Sequence, residues 1–227
     1  MTAEEQKRAA GEAAAEMVEA GMVVGLGSGS TAAWFVKALA ARGVAVRAVA
    51  TSEATAALAR SLGIALIDLD GAGQIDLTVD GADEIGPALA LIKGAGAALL
   101  REKLTWIASR RCVVIADASK PVPALGRFPL PVEVVAFGHA ATAARIGAAL
   151  KTSGIDGPPI LRQRDGAPVR TDSGNLIYDI ACGVIPAPLD LATALKAITG
   201  VVEHGLFLNL AERALIGTDR GVITLYP

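Results

Sequence analysis

The chain has 227 residues, of which 52% are hydrophobic, 19% charged and 4% aromatic, and its formal net charge is −2. That length suits one large domain or two modest ones. Its apolar runs all fall short of the roughly 18 uncharged residues a membrane span needs, and its interspersed charges leave no basic footprint for nucleic acid. A negatively charged ligand must therefore be held by local donors. Cys112 and Cys182 are the only cysteines, too few for a disulfide framework or a zinc site, and both read as packing thiols. The opening Met1–Lys7 is acidic and helix-prone. It lacks the basic and apolar regions of a secretory leader, so the expected compartment is the cytoplasm.

In chain order, Glu4–Glu19 reads as a helix ended by Gly21, Met22–Leu26 as a strand, and Ala32–Ala41 as a helix closed by Gly43. Val44–Ala50 is a strand, and Glu53–Ser61 a helix with Ser52 at its N-cap. Ile64–Leu69 and Ile75–Val79 are strands, Gly96–Arg111 a helix, and Cys112–Ala116 a strand. Strands alternating with helices predict an α/β parallel sheet covered on both faces. Four prolines crowd Pro121–Pro131, which marks a boundary. Beyond it come a strand (Val132–Phe137), a helix (His139–Leu150), two strands (Pro159–Arg162, Asn175–Ala181), a helix (Leu189–Ile198) and a strand (Val201–Leu208). That βαββαβ order is a split-βαβ, ferredoxin-like unit. Ala214–Gly217 and Val222–Tyr226 predict a hairpin returning to the first domain.

Three polar segments follow apolar runs, where open α/β sheets bind ligands beyond the carboxyl ends of their strands. Gly25–Thr31 joins a strand to a helix and offers glycines, free amides and the hydroxyls of Ser28, Ser30 and Thr31. It suits a sugar phosphate, a nucleotide or a plain tight turn. Gly27, Gly29 and Ala32 match the dinucleotide spacing, yet only Glu53 could serve as its ribose-binding acid. Asp80-Gly-Ala-Asp-Glu84 crowds three carboxylates. It suits proton transfer, a divalent cation or a capping loop. Lys93, ahead of Gly94-Ala95-Gly96, could hold a phosphate or an oxyanion, or be a surface lysine at a strand end. Lys120 stands similarly after Val113–Asp117. Glu102 lies nearly opposite the stripe of Leu100, Leu104 and Ile107, so periodicity makes it a solvated glutamate. His139 and His204 lie outside these segments and read as structural.

Taken in order, Gly25–Ala32, Val79–Ile85, Ile92–Leu99 with Arg101-Glu-Lys103, Ile115–Lys120, Phe128–Val134, Gly200–Val202 with Gly205–Phe207, and Ala214–Thr218 resemble ribose-5-phosphate isomerase of the A type. The resemblance runs over nearly the whole chain. It implies a Rossmann-like catalytic domain, here residues 1–126 and 209–227, and a smaller ferredoxin-like α+β lid domain, residues 127–208. It implies interconversion of ribose 5-phosphate and ribulose 5-phosphate in the pentose phosphate pathway, with no metal or cofactor. Under it Glu102 becomes the base, against periodicity. Asp80, Asp83 and Lys93 line the reacting end of the sugar. Ser28, Gly29, Ser30 and Thr31 form a substrate loop, Gly81, Ala82, Gly94, Ala95 and Gly96 accompany it, and Lys120 and Lys7 are further contacts. Ala95 stands where many members have glycine, and Asn209–Arg213 is shorter than the usual stretch. Neither departure removes a functional side chain.

The implied chemistry moves one proton between C1 and C2 through an enediolate, which a single carboxylate can carry. Lys93 is the obvious cation for the oxyanion, and Asp80 or Asp83 could open the ring. A coenzyme A transferase-like enzyme, with glutamate as nucleophile, and a non-catalytic sugar-phosphate sensor are the alternatives. Lys93, Asp80, Asp83 and Glu102 together argue against the sensor. Apolar side chains alternate onto both faces of Val132–Phe137. With the family's habit this predicts a homodimer or homotetramer.

Overall fold

A computed structural model describes residues 1–227. The chain divides into two compact units: residues 1–82, 101–121 and 209–227, and residues 83–100 and 122–208.

The first unit contains α1 (Ala3–Ala15), β1 (Val23–Leu26), α2 (Ser30–Arg42), β2 (Arg47–Ala50), α3 (Glu53–Ser61), β3 (Ala65–Leu66), α4 (Leu69–Ala72) and β4 (Leu77–Gly81). The second unit takes up the chain with β5 (Glu84–Ile85) and β6 (Leu91–Ile92). Helix α5 (Leu99–Ile107) begins there and returns the chain to the first unit, which continues with β7 (Cys112–Asp117). The second unit then holds β8 (Leu130–Val134), α6 (His139–Thr152), β9 (Pro159–Leu161), β10 (Gln163–Arg164), β11 (Ala167–Pro168), β12 (Leu176–Ile180), α7 (Pro188–Lys196), β13 (Val201–His204) and β14 (Leu206–Phe207). A final hairpin, β15 (Arg213–Thr218) and β16 (Gly221–Leu225), rejoins the first unit.

The first unit is a seven-stranded sheet in the order β16-β15-β7-β4-β1-β2-β3, parallel except for the antiparallel β16. Its central strands are short and wholly buried: β1 and β7 expose no residue. That is why the sequence reads there as continuous apolar runs. Between β1 and β4 the strand order reverses, so the β1–α2 loop and the end of β4 flank the switch point where such sheets bind ligands. Helix α1 starts at a capping box. The Thr2 hydroxyl accepts the Glu5 amide at 3.3 Å, and the Glu5 carboxylate accepts the Thr2 amide at 2.7 Å.

The second unit carries a four-stranded antiparallel sheet in the order β13-β8-β12-β9 with α6 and α7, the split-βαβ arrangement expected from the sequence. Leu130, Val132 and Val134 of β8 pack with Ile146, Leu150, Leu191 and Leu195 of the helices. A small antiparallel sheet, β14-β6-β5, and a hairpin of β10 with β11 complete it.

Several elements differ from their expected extent: α1 ends at Ala15 rather than Glu19, β2 begins only at Arg47, β8 spans Leu130–Val134 rather than Val132–Phe137, and the strand expected over Val201–Leu208 splits into β13 and β14 in different sheets. The strand expected over Ile64–Leu69 shrinks to Ala65–Leu66, at the edge of the sheet, and Leu69 already begins the short α4. Helix α5 starts at Leu99 rather than Gly96, because Gly94 (φ 117°) and Ala97 (φ 61°) adopt left-handed backbone that a helix cannot contain.

Candidate active site

The β1–α2 loop is built around Asp80. Its carboxylate is fully buried. Oδ1 accepts the amides of Ser28 at 3.0 Å and Gly81 at 2.7 Å, and Oδ2 accepts the indole N–H of Trp106 at 3.3 Å. A Cβ on Gly27 would lie 2.1 Å from Asp80 Oδ1, so only glycine lets the loop cross this close. Gly29, at φ 93°, is the N-cap of α2 and supplies no side-chain cap. The first-turn amides of α2 therefore remain available to an anion, favoured by the helix dipole.

The hydroxyls divide in their duties. Ser28 Oγ is turned inward, to Thr51 Oγ1 and Ser52 Oγ at 2.8 Å each, with Thr55 Oγ1 at 3.4 Å. It braces the loop from behind, and with its amide on Asp80 both donors of Ser28 are engaged within the protein. Ser30 is exposed and its Oγ meets Lys7 Nζ at 3.2 Å, while Thr31 is buried.

Asp117 is a buried carboxylate at the end of β7 that feels the charges of Lys120 and Lys7. Burial pushes the Asp117 carboxyl up, but the Ser119 hydroxyl and amide, with Lys120 and Lys7, outweigh it and hold the group below its ordinary value. Sequence reasoning passed over Asp117 and Gln6. The Gln6 amide oxygen accepts the Ala118 N–H at 3.1 Å, and its Nε2 donates to Asp219 Oδ1 at 2.9 Å. This ties the helix bearing Lys7 to the turn bearing Lys120. If these lysines hold a phosphate, Gln6→Leu should raise KM several-fold and leave kcat within about twofold, since phosphate is held alike in ground and transition states. A fall in kcat with unchanged KM would contradict that role.

Helix α5 presents the face that periodicity did not choose. Glu102 is 5% exposed and Trp106, one turn on, is 1% exposed, whereas Leu104 and Ile107 are 42% and 63% exposed. The i, i+4 spacing puts the Glu102 carboxyl and the indole that holds Asp80 on one side of the helix. Trp106 is the residue whose size and N–H turn this face inward.

In the second unit Lys93 follows β6 and is 2% exposed. Its Nζ lies over the Phe207 ring, 5.4 Å from the centroid, and its amide donates to Gly205 O at 2.9 Å. Gly94, at φ 117°, leaves no room for a Cβ, which would meet Leu99 at 2.8 Å. Asp83 Oδ2 accepts the Ala95 amide at 2.9 Å. Gly96 is exposed, as is Ala95. The third carboxylate, Glu84, is spent on structure: it accepts the amides of Gly126 at 2.8 Å and Phe128 at 2.6 Å. No three His, Cys, Asp or Glu side chains gather into a cation cage. Burial pushes the Cys112 thiol up to about 12 and Cys182 up to about 11, so neither is poised as a nucleophile.

A buried glutamate, a fixed aspartate, an open helix N-terminus and the lysines Lys7 and Lys120 belong to the first unit. A second aspartate and a buried lysine belong to the other. Comparison with known proteins gives this set a family. Residues 47–221 match the family model described as ribose 5-phosphate isomerase A (phosphoriboisomerase A). The chain is 66% identical to the ribose-5-phosphate isomerase A of Caulobacter sp. (strain K31), over the full length of both. It is similar to the crystal structure of ribose 5 phosphate isomerase A from Neisseria gonorrhoeae, with TM-score 0.92, 37% identity and coverage of 100% and 98% of the two chains. A D-ribose-5-phosphate isomerase solved in complex with phospho-erythronic acid superposes with TM-score 0.92 at 37% identity over all of both chains. On these matches and the architecture that precedes them, the chain belongs to the ribose 5-phosphate isomerase A family.

Proposed function

We propose that this protein interconverts D-ribose 5-phosphate and D-ribulose 5-phosphate through an enediolate, as part of the non-oxidative pentose phosphate pathway. The observation that carries the proposal is the burial of Glu102 on the same helix as Trp106, whose indole holds Asp80. A carboxyl kept from bulk water can take the C2 proton of the open aldose and return it to C1, while the O2 hydroxyl proton passes to O1. One such base contributes about 10²–10⁴-fold. Lys93 is assigned to the oxygen that gains charge. Ring opening falls to Asp80 or Asp83, and the segments Gly81–Ala82 and Gly94–Gly96 are assigned to the sugar's flanks, the Gly81 and Ala95 amides themselves being held by Asp80 and Asp83. The phosphate is assigned to the α2 N-terminus, Ser30, Thr31, Lys7 and Lys120. Phospho-erythronic acid, held by a structural relative, joins a phosphate to a planar carboxylate. It thus resembles the enediolate in charge and shape.

A coenzyme A transferase or a pure sensor is disfavoured by the family to which the chain belongs. Incubation with ribose 5-phosphate and assay for ketose tests the reading, and absence of turnover would refute it. We expect turnover to survive EDTA. Loss of activity on chelation, with recovery on adding Mg²⁺ or Mn²⁺, would reverse the metal-free assignment.

The reading extends to a cytoplasmic homodimer or homotetramer acting without nucleic acid or membrane. No helix is long and apolar enough to cross a membrane. Phe137 is 96% exposed, and Ile160, Leu189 and Val184 about three-fifths exposed, all in the second unit, which supports association through residues 132–208. Light scattering at micromolar concentration tests this, and a clean monomer would refute it.

A further inference from the structure

We propose that Arg162 is a positioning residue for the isomerisation, setting the placement of Lys93 through the backbone of the loop that follows it. This rests on the role assigned to Lys93 above. Arg162 lies just beyond β9, and its side chain is 14% exposed. Its Nε donates to Asp179 Oδ2 at 2.7 Å and its Nη2 to Asp179 Oδ1 at 2.5 Å. This two-pronged grip on the β12 carboxylate fixes the guanidinium plane. The remaining terminal nitrogen, Nη1, reaches the carbonyls of Gly94 at 2.8 Å and Ala95 at 3.2 Å. The Arg162 amide also donates to Ile177 O at 2.8 Å, so the residue is held at both ends.

The segment it grips needs holding. Gly94 and Ala97 have left-handed backbone, and between them runs only one turn bond, from the Ala97 amide to Gly94 O at 3.1 Å. Asp83 takes the Ala95 amide, and Arg162 takes the carbonyls on either side of that amide. Upstream, the Lys93 amide is fixed by Gly205 O. Lys93 thus leaves a backbone pinned before it by Gly205 and after it by Arg162. The planar fork is essential to this, because an ammonium cannot grip a carboxylate in two places and still reach two carbonyls.

A cation matched to charge that develops during reaction acts on kcat rather than on substrate binding. For Arg162→Lys we expect kcat on ribose 5-phosphate to fall about 10- to 100-fold, the range for losing charge-assisted hydrogen bonds, with KM changed less than about threefold. The inhibition constant of phospho-erythronic acid should rise by the same factor as kcat/KM falls. Asp179→Asn, which loosens the grip without touching the loop, should shift both quantities in the same direction by less, and it carries the test if Arg162→Lys does not fold. A kcat within twofold of wild type overturns the proposal. So does a fall in kcat with unchanged inhibitor affinity, or a parallel loss in kcat, KM and Tm, which would mark a purely structural role. If the wild-type protein does not isomerise ribose 5-phosphate, the functional reading fails instead. The two failures are therefore distinct.

Discussion

Replacing Glu102 by Gln should leave a folded protein with turnover reduced at least ~100-fold, the low end for a positioned general base and about 2.7 kcal/mol in barrier height. The amide is isosteric with the carboxyl, so the packing beside Trp106 is kept and the melting temperature should move little. On the proposed role, what is lost is the atom assigned to accept a carbon-bound proton and give it back. KM should change far less than kcat, because the proposed contacts that grip the substrate lie elsewhere. In D₂O the wild-type protein should place solvent deuterium, at least in part, at the transferred position of the product. A Glu102→Gln variant retaining most of its turnover would remove Glu102 from the chemistry. A transferase would instead form a glutamyl thioester from an acyl-CoA donor, which mass spectrometry would show.

That prediction depends on a burial that the sequence alone argued against. Leu100, Leu104 and Ile107 look like the inner stripe of α5, yet Leu104 and Ile107 face outward while Glu102, Thr105 and Trp106 are buried. Helical periodicity reports the inner face only where burial is apolar. Here a long-range bond from Trp106 to Asp80 helps decide the rotation. The three carboxylates of Asp80–Glu84 show the same limit. Their proximity in sequence suggested one charged cluster, but Glu84 answers to amides more than forty residues away, at Gly126 and Phe128. The strands were far more legible. β1, β4 and β7 follow short apolar runs ending at glycine or aspartate, and such runs have few alternatives to a buried sheet, whereas β8, expected over Val132–Phe137, lies at Leu130–Val134 and buries Glu133. Gly29 was legible for a related reason, since a strand-to-helix turn at positive φ admits little else. Gln6 and Arg162 carried no local pattern. Their partners, Ala118 and Asp219 for one and Asp179 with the Gly94–Ala95 carbonyls for the other, are distant along the chain.

Gly27→Ala is expected to be the most damaging single methyl in the loop. Its Cβ would sit 2.1 Å from Asp80 Oδ1, 2.3 Å from Asp80 Cγ and 2.5 Å from Asp80 Cα. Because the last of these is backbone, no rotamer change relieves the clash, and either β4 or the loop must shift. Overpacking of this kind costs about 1–3 kcal/mol, or about 2–12 °C in melting temperature for a chain of this size. A displacement of ~1 Å at reacting groups costs about 10²-fold in rate, so kcat should fall by that order. Gly29→Ala provides the contrast. Nothing lies within 4 Å of its Cβ, and the only penalty is the backbone at φ 93° and ψ −180°, a region almost confined to glycine, of order 1–3 kcal/mol. That variant should alter chiefly KM, through the amides at the start of α2. If Gly27→Ala instead kept wild-type kcat while losing stability, Asp80 would have moved without consequence. Ring opening would then belong to Asp83, and Asp80 would be left as the post on which the substrate loop is hung.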